Sequence, residues 1–308
     1  MSNILVTGGA GFIGSNLILL LLRNDYHVTV LDNLSTGKME NLQELKKNPN
    51  FRFILGDIRS QENVNAALEG IDAVVHLAAL IDVSASVAEP LFTHDVNVTG
   101  TLNMLQEAAR RRVERFVFAS STAVYGDTKT LPVTEETPFQ PISPYAASKA
   151  AAEAYCSTYA GCYGLNTVRL RFFNVYGPKN ENSPYSGVIT KFLQKAQSNQ
   201  TLTIEGDGEQ TRDFIHVSDI AQALMAALKG KNLQGDVFNV CTGKPTSINT
   251  LASTLSAVLG KNLKTVHAQA RVGDIRYSYG DPSKAERGLR FRAKVDIAEG
   301  LKLLLKKA

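Results

Sequence analysis

Short apolar runs recur along the first half of the chain, and longer helical patterns separate them. Residues 4–6, 27–31, 51–55, 73–77, 115–119 and 167–172 read as strands; the run Ile4-Leu5-Val6 in particular is apolar throughout, as a strand buried on both faces must be. The spacing predicts helices from the glycine-rich turn through Leu22, near 62–68, over 91–112, and from Tyr145 toward Gly161 and Gly164. This alternation predicts an α/β fold with a doubly wound parallel sheet. Beyond Phe173 the order loosens, with helices near 188–198, 218–229 and 246–259 and a basic tail helix after Val295. No internal repeat or low-complexity linker interrupts the chain. The expectation is therefore a nucleotide-binding domain over 1–172, to which segments at roughly 212–245 return, and a smaller C-terminal α/β lobe, mainly 173–308, packed directly on it.

The first strand leads into Thr7-Gly8-Gly9-Ala10-Gly11-Phe12-Ile13-Gly14, which reads both as Gly9-x-Gly11-x-x-Gly14 and as Gly8-x-x-Gly11-x-x-Gly14. Glycines there let the backbone approach a pyrophosphate, held by free N–H groups and the positive end of the helix. Asp32 closes the second strand about 20 residues later, where a carboxylate can accept from both hydroxyls of an adenosine ribose. It would repel a 2′-phosphate, so the expected cofactor is NAD rather than NADP.

Tyr-x-x-x-Lys occurs twice. Tyr125 to Lys129 sits among turn residues Gly126, Asp127 and Pro132, and its spacing is fortuitous. Tyr145 to Lys149 follows Ser143-Pro144 at the start of an alanine-rich helix, so both side chains share a face. An ammonium beside a phenol is expected to lower its pKa from about 10, which suits a general base. With a serine from the stretch Ser120 to Gly126 the pair would supply a proton relay for redox chemistry on a hydroxyl group; an exposed tyrosine and a solvated lysine are the structural alternative.

Composition narrows the class. At 308 residues, 44% hydrophobic and 20% charged, the chain can bury a large core. The net charge is only +4, and the one basic cluster, Arg110-Arg111-Arg112 with Arg115, falls where a helix should end, so no nucleic-acid partner is expected. The apolar run from Leu17 to Leu22 is too short for a membrane span and lacks a signal peptide's basic flank. Cys156, Cys162 and Cys241 are odd in number and without metal-type spacing. The expectation is a cytoplasmic protein without membrane association, disulfide or metal.

Ten ordered segments carry a family resemblance: Thr7 to Gly14, Asp32 to Gly37, Gly56 to Ile58, His76 to Ala79, Asn97, Ser120 to Gly126, Tyr145 to Lys149, Arg171 to Pro178, Arg212 to Val217 and Arg271 to Asp274. Over nearly the whole chain they resemble the extended short-chain dehydrogenase/reductases of the NAD-dependent epimerase/dehydratase group, whose fold is a Rossmann-like sheet. Within that group the motifs are most similar to UDP-glucose 4-epimerases.

The resemblance implies NAD contacts at Gly8, Gly11, Phe12, Ile13, Gly14, Asp32, Asn33, Ser35, Thr36, Gly37, Asp57, Ile58, Leu77, Ala78, Ala79, Asn97, Tyr145, Lys149 and Phe172. It implies UDP-sugar contacts at Ser84, Ser86, Ser121, Thr122, Tyr145, Asn174, Val188, Arg212, Arg271, Asp274 and Ser278. Arg212 and Arg271 would clamp the diphosphate while Asp274 takes ribose hydroxyls, although pairing of Arg212 with Asp213 and Arg271 with Asp274 is the purely structural alternative. Ser84 and Ser86 read equally well as turn residues before Pro90.

The implied activity is 4-epimerisation of UDP-hexoses through a 4-keto sugar, with Tyr145, Ser121 and Lys149 catalytic. Family dehydratases carry carboxylates where this chain has Thr122 and Ala123, which disfavours elimination. A small Ser278 at the sugar gate would also admit 2-acetamido sugars. UDP-glucuronate epimerisation or decarboxylation stays open, with Arg276 as the carboxylate's partner, as does a silent NAD-binding protein. Ile81 departs from the lysine that many relatives place against the cofactor. A homodimer through helices 91–112 and 146–162 is expected.

Overall fold

The computed structural model describes residues 2–179, 187–270 and 275–305. In chain order the first part runs β1 (Asn3–Thr7), α1 (Phe12–Leu22), β2 (His27–Asp32), β3 (Phe51–Leu55), α2 (Gln61–Ala67), β4 (Ala73–His76), α3 (Val83–Ala88), α4 (Pro90–His94), α5 (Gly100–Arg110), β5 (Arg115–Ser121), α6 (Pro144–Cys162) and β6 (Thr167–Phe172). The rest runs β7 (Asn174–Tyr176), α7 (Val188–Gln197), β8 (Leu202–Glu205), β9 (Thr211–Arg212), β10 (Phe214–His216), α8 (Val217–Lys229), β11 (Asp236–Val240), β12 (Thr246–Ser247), α9 (Ile248–Leu259), β13 (Thr265–Ala268), α10 (Ser283–Leu289) and α11 (Ile297–Leu305).

Seven strands form one sheet in the order β11-β6-β5-β4-β1-β2-β3, and every neighbouring pair is parallel. Both faces are buried, because alternate residues serve opposite cores. Ile4, Val6, Val28, Val30 and Val117 face α1 and α8, while Leu5, Leu31, Val74, Phe116 and Phe118 face α2, α5 and α6. A third cluster, with Phe192, Leu202, Ile204, Phe214, Leu251 and Leu301, holds α7, α9 and α11 together. The strand order reverses between β1 and β4, and at such a switch point a crevice opens at the carboxyl ends of the strands.

Capping follows local chemistry. Ser60, Ser143 and Ser247 accept from the backbone N–H three residues on, and Pro144 occupies the first turn of α6, where its missing donor costs nothing. Arg110 and Arg111 bind Glu107, and Arg115 donates to the carbonyls of Ala227 (3.0 Å) and Gly230 (2.8 Å), so most of the basic cluster is committed to the fold.

Two expectations need correction. The single helix over 91–112 is α4 and α5 joined by a wide π turn at Asp95–Thr99. That extra residue turns Asn97 inward, where its amide donates to Leu80 O (2.9 Å) and Ser148 Oγ (2.9 Å) and accepts from Leu80 N (2.8 Å). Ser84 and Ser86 lie on helix α3 rather than in a turn, because Asp82 caps it by accepting from Ala85 N. Among the described residues no helix is long and apolar enough to cross a membrane.

Candidate active site

One cleft of about 1600 Å³ runs along the switch point and on between the sheet and the C-terminal elements. Its first half is lined by Gly8, Gly11, Phe12, Ile13 and Gly14, by Asp32, Asn33, Ser35, Thr36 and Gly37, by Ile58, and by Leu77, Ala78 and Ala79. The glycine turn closes with Gly11 N donating to Gly8 O (3.1 Å), and α1 starts immediately after it. Gly8 has φ +68°, and a Cβ there would lie 2.7 Å from Ala78 N. A Cβ on Gly14 would lie 2.5 Å from Gly8 O. Backbone meets backbone here, so only hydrogen fits at either position.

Asp32 accepts from Ala10 N (2.9 Å) and Leu34 N (2.8 Å), which fixes its carboxylate at the end of β2. Burial pushes its pKa up, and those two N–H groups oppose the rise. Thr7 ties the glycine turn to β4. Its hydroxyl donates to His76 Nδ1 (2.7 Å) and accepts from Leu77 N and Ala78 N, both at 3.2 Å. Thr101 donates its proton to Asn97 O (2.6 Å), so His76 Nε2 must donate to Thr101 Oγ1 (3.0 Å). Burial, with the nearby Lys149 charge, pulls His76 down to about 3, so this relay stays neutral.

Where the two halves of the cleft meet, Tyr145, Lys149 and Ser121 stand together with Phe172. Lys149 Nζ donates to Ala119 O (2.8 Å) and sits 4.9 Å above the Phe118 ring. Burial pulls its ammonium down to about 8. The same burial pushes the Tyr145 phenol up, and the Ser121 hydroxyl bonded to it works the other way. The expected lowering of Tyr145 by Lys149 is therefore corrected: desolvation dominates, and the ammonium is directed to the strand carbonyl.

The second half is lined by Asn174, Val188, Arg212, Phe214, Ile204 and Gln210, and by Lys191 and Lys195. Those two lysines were not picked out from the sequence, although their spacing of four on α7 places both on one face. Arg59 was also missed; it lines the cleft, binds Asp57 and Asp95, and stacks on Phe92 at 5.1 Å. Arg212 does not pair with Asp213, which is fully buried and accepts from Thr242 N, Thr242 Oγ1 and Gly243 N.

Several expected residues stand off the cleft. Asp57 is occupied by Arg59 and Asn33, and Asn97 supports Leu80 from behind. Ser86 is buried and donates to Val83 O, and Ser84 is exposed on α3. Thr122 begins a 3-10 turn that Ser121 caps. Ser278 pairs through its backbone N–H with Thr211 O, and Arg276 is forked on Asp207 with both bonds at 2.7 Å. Arg271 and Asp274 lie outside the described residues.

The model of the NAD dependent epimerase/dehydratase family matches residues 4–241. The chain belongs to that family. Its cofactor is NAD, and the first half of the cleft fits it through a glycine cradle without room for side chains and an acid fixed at the end of β2. Curated relatives include the UDP-glucose 4-epimerase of Mycolicibacterium smegmatis, 37% identical over 96% of this chain and 95% of that one. Among solved structures, the UDP-N-acetylglucosamine 4-epimerase of Methanobrevibacter ruminantium is 38% identical, with a TM-score of 0.93 over 100% of this chain and 99% of that one. The UDP-glucose 4-epimerase of Thermotoga maritima is also 38% identical, with a TM-score of 0.91 over 99% and 97%.

Proposed function

We propose that this chain is a 4-epimerase of UDP-hexoses, interconverting UDP-glucose and UDP-galactose. The observation that carries this reading is the meeting of Tyr145, Ser121 and Lys149 at the junction of the cleft's two halves, with Thr122 and Ala123 in place of the acids that elimination requires. Held by the glycine cradle at Gly8, Gly11 and Gly14 and by Asp32, NAD would supply the acceptor, and then the donor, of a hydride at C4 of the sugar. Tyr145 removes the proton of the 4-hydroxyl and later gives it back, with the Ser121 hydroxyl aligning the phenol. Lys149, held on Ala119 O, brings a cation to the same face of α6 as Tyr145. Arg212, Lys191 and Lys195 hold the diphosphate, and Asn174 and Val188 bound the sugar. Anchoring the nucleotide keeps the keto sugar bound while its ring turns over.

A neutral C6 is favoured because Arg276, the candidate partner for a uronate, is committed to Asp207 away from the cleft. The gate at Ser278 receives no support from its position, so acceptance of 2-acetamido sugars rests on the relative that acts on them. Exposed Val87, Leu91 and Tyr163 on α3, α4 and the C-terminal end of α6 suit a homodimer, and three free thiols suit the cytoplasm.

Incubation with UDP-galactose and, separately, UDP-N-acetylgalactosamine tests the reading by chromatography of the products. Conversion of UDP-galactose to its 4-epimer is expected. Turnover of UDP-glucuronate with neither of those two converted would overturn the assignment.

A further inference from the structure

Ala119, Ser120 and Ser121 are consecutive at the end of β5, and each engages a different residue of α6. Lys149 Nζ donates to Ala119 O at 2.8 Å, Ser120 Oγ–H donates to Glu153 Oε1, and the Ser121 hydroxyl bonds the Tyr145 phenol. Tyr145, Lys149 and Glu153 are spaced by four, so they form one stripe along the helix. The first two line the cleft; Glu153 does not.

Glu153 is 0% exposed and Arg171, on β6, is 3% exposed. Arg171 forks onto both carboxylate oxygens, with Nε to Oε1 at 2.9 Å and Nη2 to Oε2 at 2.8 Å. Its remaining nitrogen donates to Tyr125 Oη (2.7 Å) and Glu135 O (3.1 Å), and the guanidinium lies 4.9 Å from the Tyr125 ring centre and 4.8 Å from that of Phe139. Tyr125 Oη–H passes the chain on to Asn239 Oδ1 at 2.6 Å. Burying such a pair is expensive, and apolar residues of similar size usually pack at least as stably, so stability alone does not account for it.

We propose that Glu153, clamped by Arg171, is a positioning residue for the catalytic stripe: through Ser120 it sets the register of α6 on β5, and with it the places of Tyr145 and Lys149. The inference rests on the epimerase reading for the reaction in which Tyr145 and Lys149 act. Burial is what pulls Lys149 down, while Cys156 and Glu153 on its own helix push it back up. From β4 it faces the neutral His76, and from β5 the Ala119 carbonyl and the Phe118 ring. Among the described residues, Glu153 is the carboxylate that acts on this ammonium.

Three variants test this: Glu153→Gln, which keeps the shape and an acceptor for Ser120; Glu153→Gln with Arg171→Met, which leaves no unpaired buried charge; and Ser120→Ala. The readouts are kcat and KM for UDP-galactose against pH, and the NMR titration of the Lys149 side chain. Both Glu153 variants are expected to lose about 10–100-fold in kcat at unchanged KM. In Glu153→Gln the alkaline fall of kcat and the Lys149 titration should both move toward neutrality, whereas the double variant, which removes a cation along with the anion, should move them less. Ser120→Ala should lower kcat without moving either profile. A folded double variant with wild-type kcat overturns the proposal. If the wild type turns over no UDP-sugar, the functional reading falls instead, and the Lys149 titration still decides the role of Glu153.

Discussion

Tyr145→Phe is expected to lower turnover of UDP-galactose by about 10²–10⁴-fold, the usual contribution of a positioned acid–base group. The ring is buried on the first turn of α6, so phenylalanine keeps its packing and removes only the hydroxyl that Ser121 meets. NAD affinity and melting temperature should therefore stay near wild type. Initial rates alongside calorimetric NAD titration check this. A variant within ten-fold of wild type would remove Tyr145 from the chemistry.

Gly8→Ala is expected to abolish useful NAD binding and lower stability. Gly8 sits at φ +68°, where an L side chain costs about 1–2 kcal/mol. The new methyl would also lie 2.7 Å from Ala78 N and 2.9 Å from Ala78 Cα, so the segment that follows β4 must move away from the glycine turn. Overpacking of this kind adds about 1–3 kcal/mol, and the combined loss corresponds to a Tm drop of roughly 5–10 °C. Because the displaced segment, Leu77 to Ala79, lines the cofactor half of the cleft, NAD affinity should fall by at least about ten-fold, equivalent to 1.4 kcal/mol. Calorimetry on the purified variant reads both effects. Wild-type NAD affinity would mean that the cradle is not the pyrophosphate site.

What the sequence discloses and what it conceals divide along physical lines. The glycine turn, Asp32 and the pair Tyr145 and Lys149 are legible because each depends on local geometry: a backbone approach, a strand end, a helix face. The π turn at Asp95–Thr99 is hidden, because one inserted residue barely disturbs a helical pattern. The paired strands of the C-terminal part, such as β9 and β12 with two residues each, are too short to display a period. The pKa of Tyr145 was misjudged because burial is a property of the assembled fold, and Lys149's partner is a strand carbonyl that no spacing rule reveals. Adjacency made Asp213 the structural alternative as a partner for Arg212, yet its bonds go to backbone and hydroxyl groups 29, 30 and 67 residues away.

In the proposed reaction the C4 hydrogen leaves the sugar as hydride and returns to it without meeting water. UDP-galactose carrying deuterium at C4 tests this directly in ordinary water. The expected product is UDP-glucose that retains the label at C4. Loss of deuterium to solvent during turnover would instead mean that C4 is deprotonated as an acid, and would contradict the hydride mechanism assigned to this cleft.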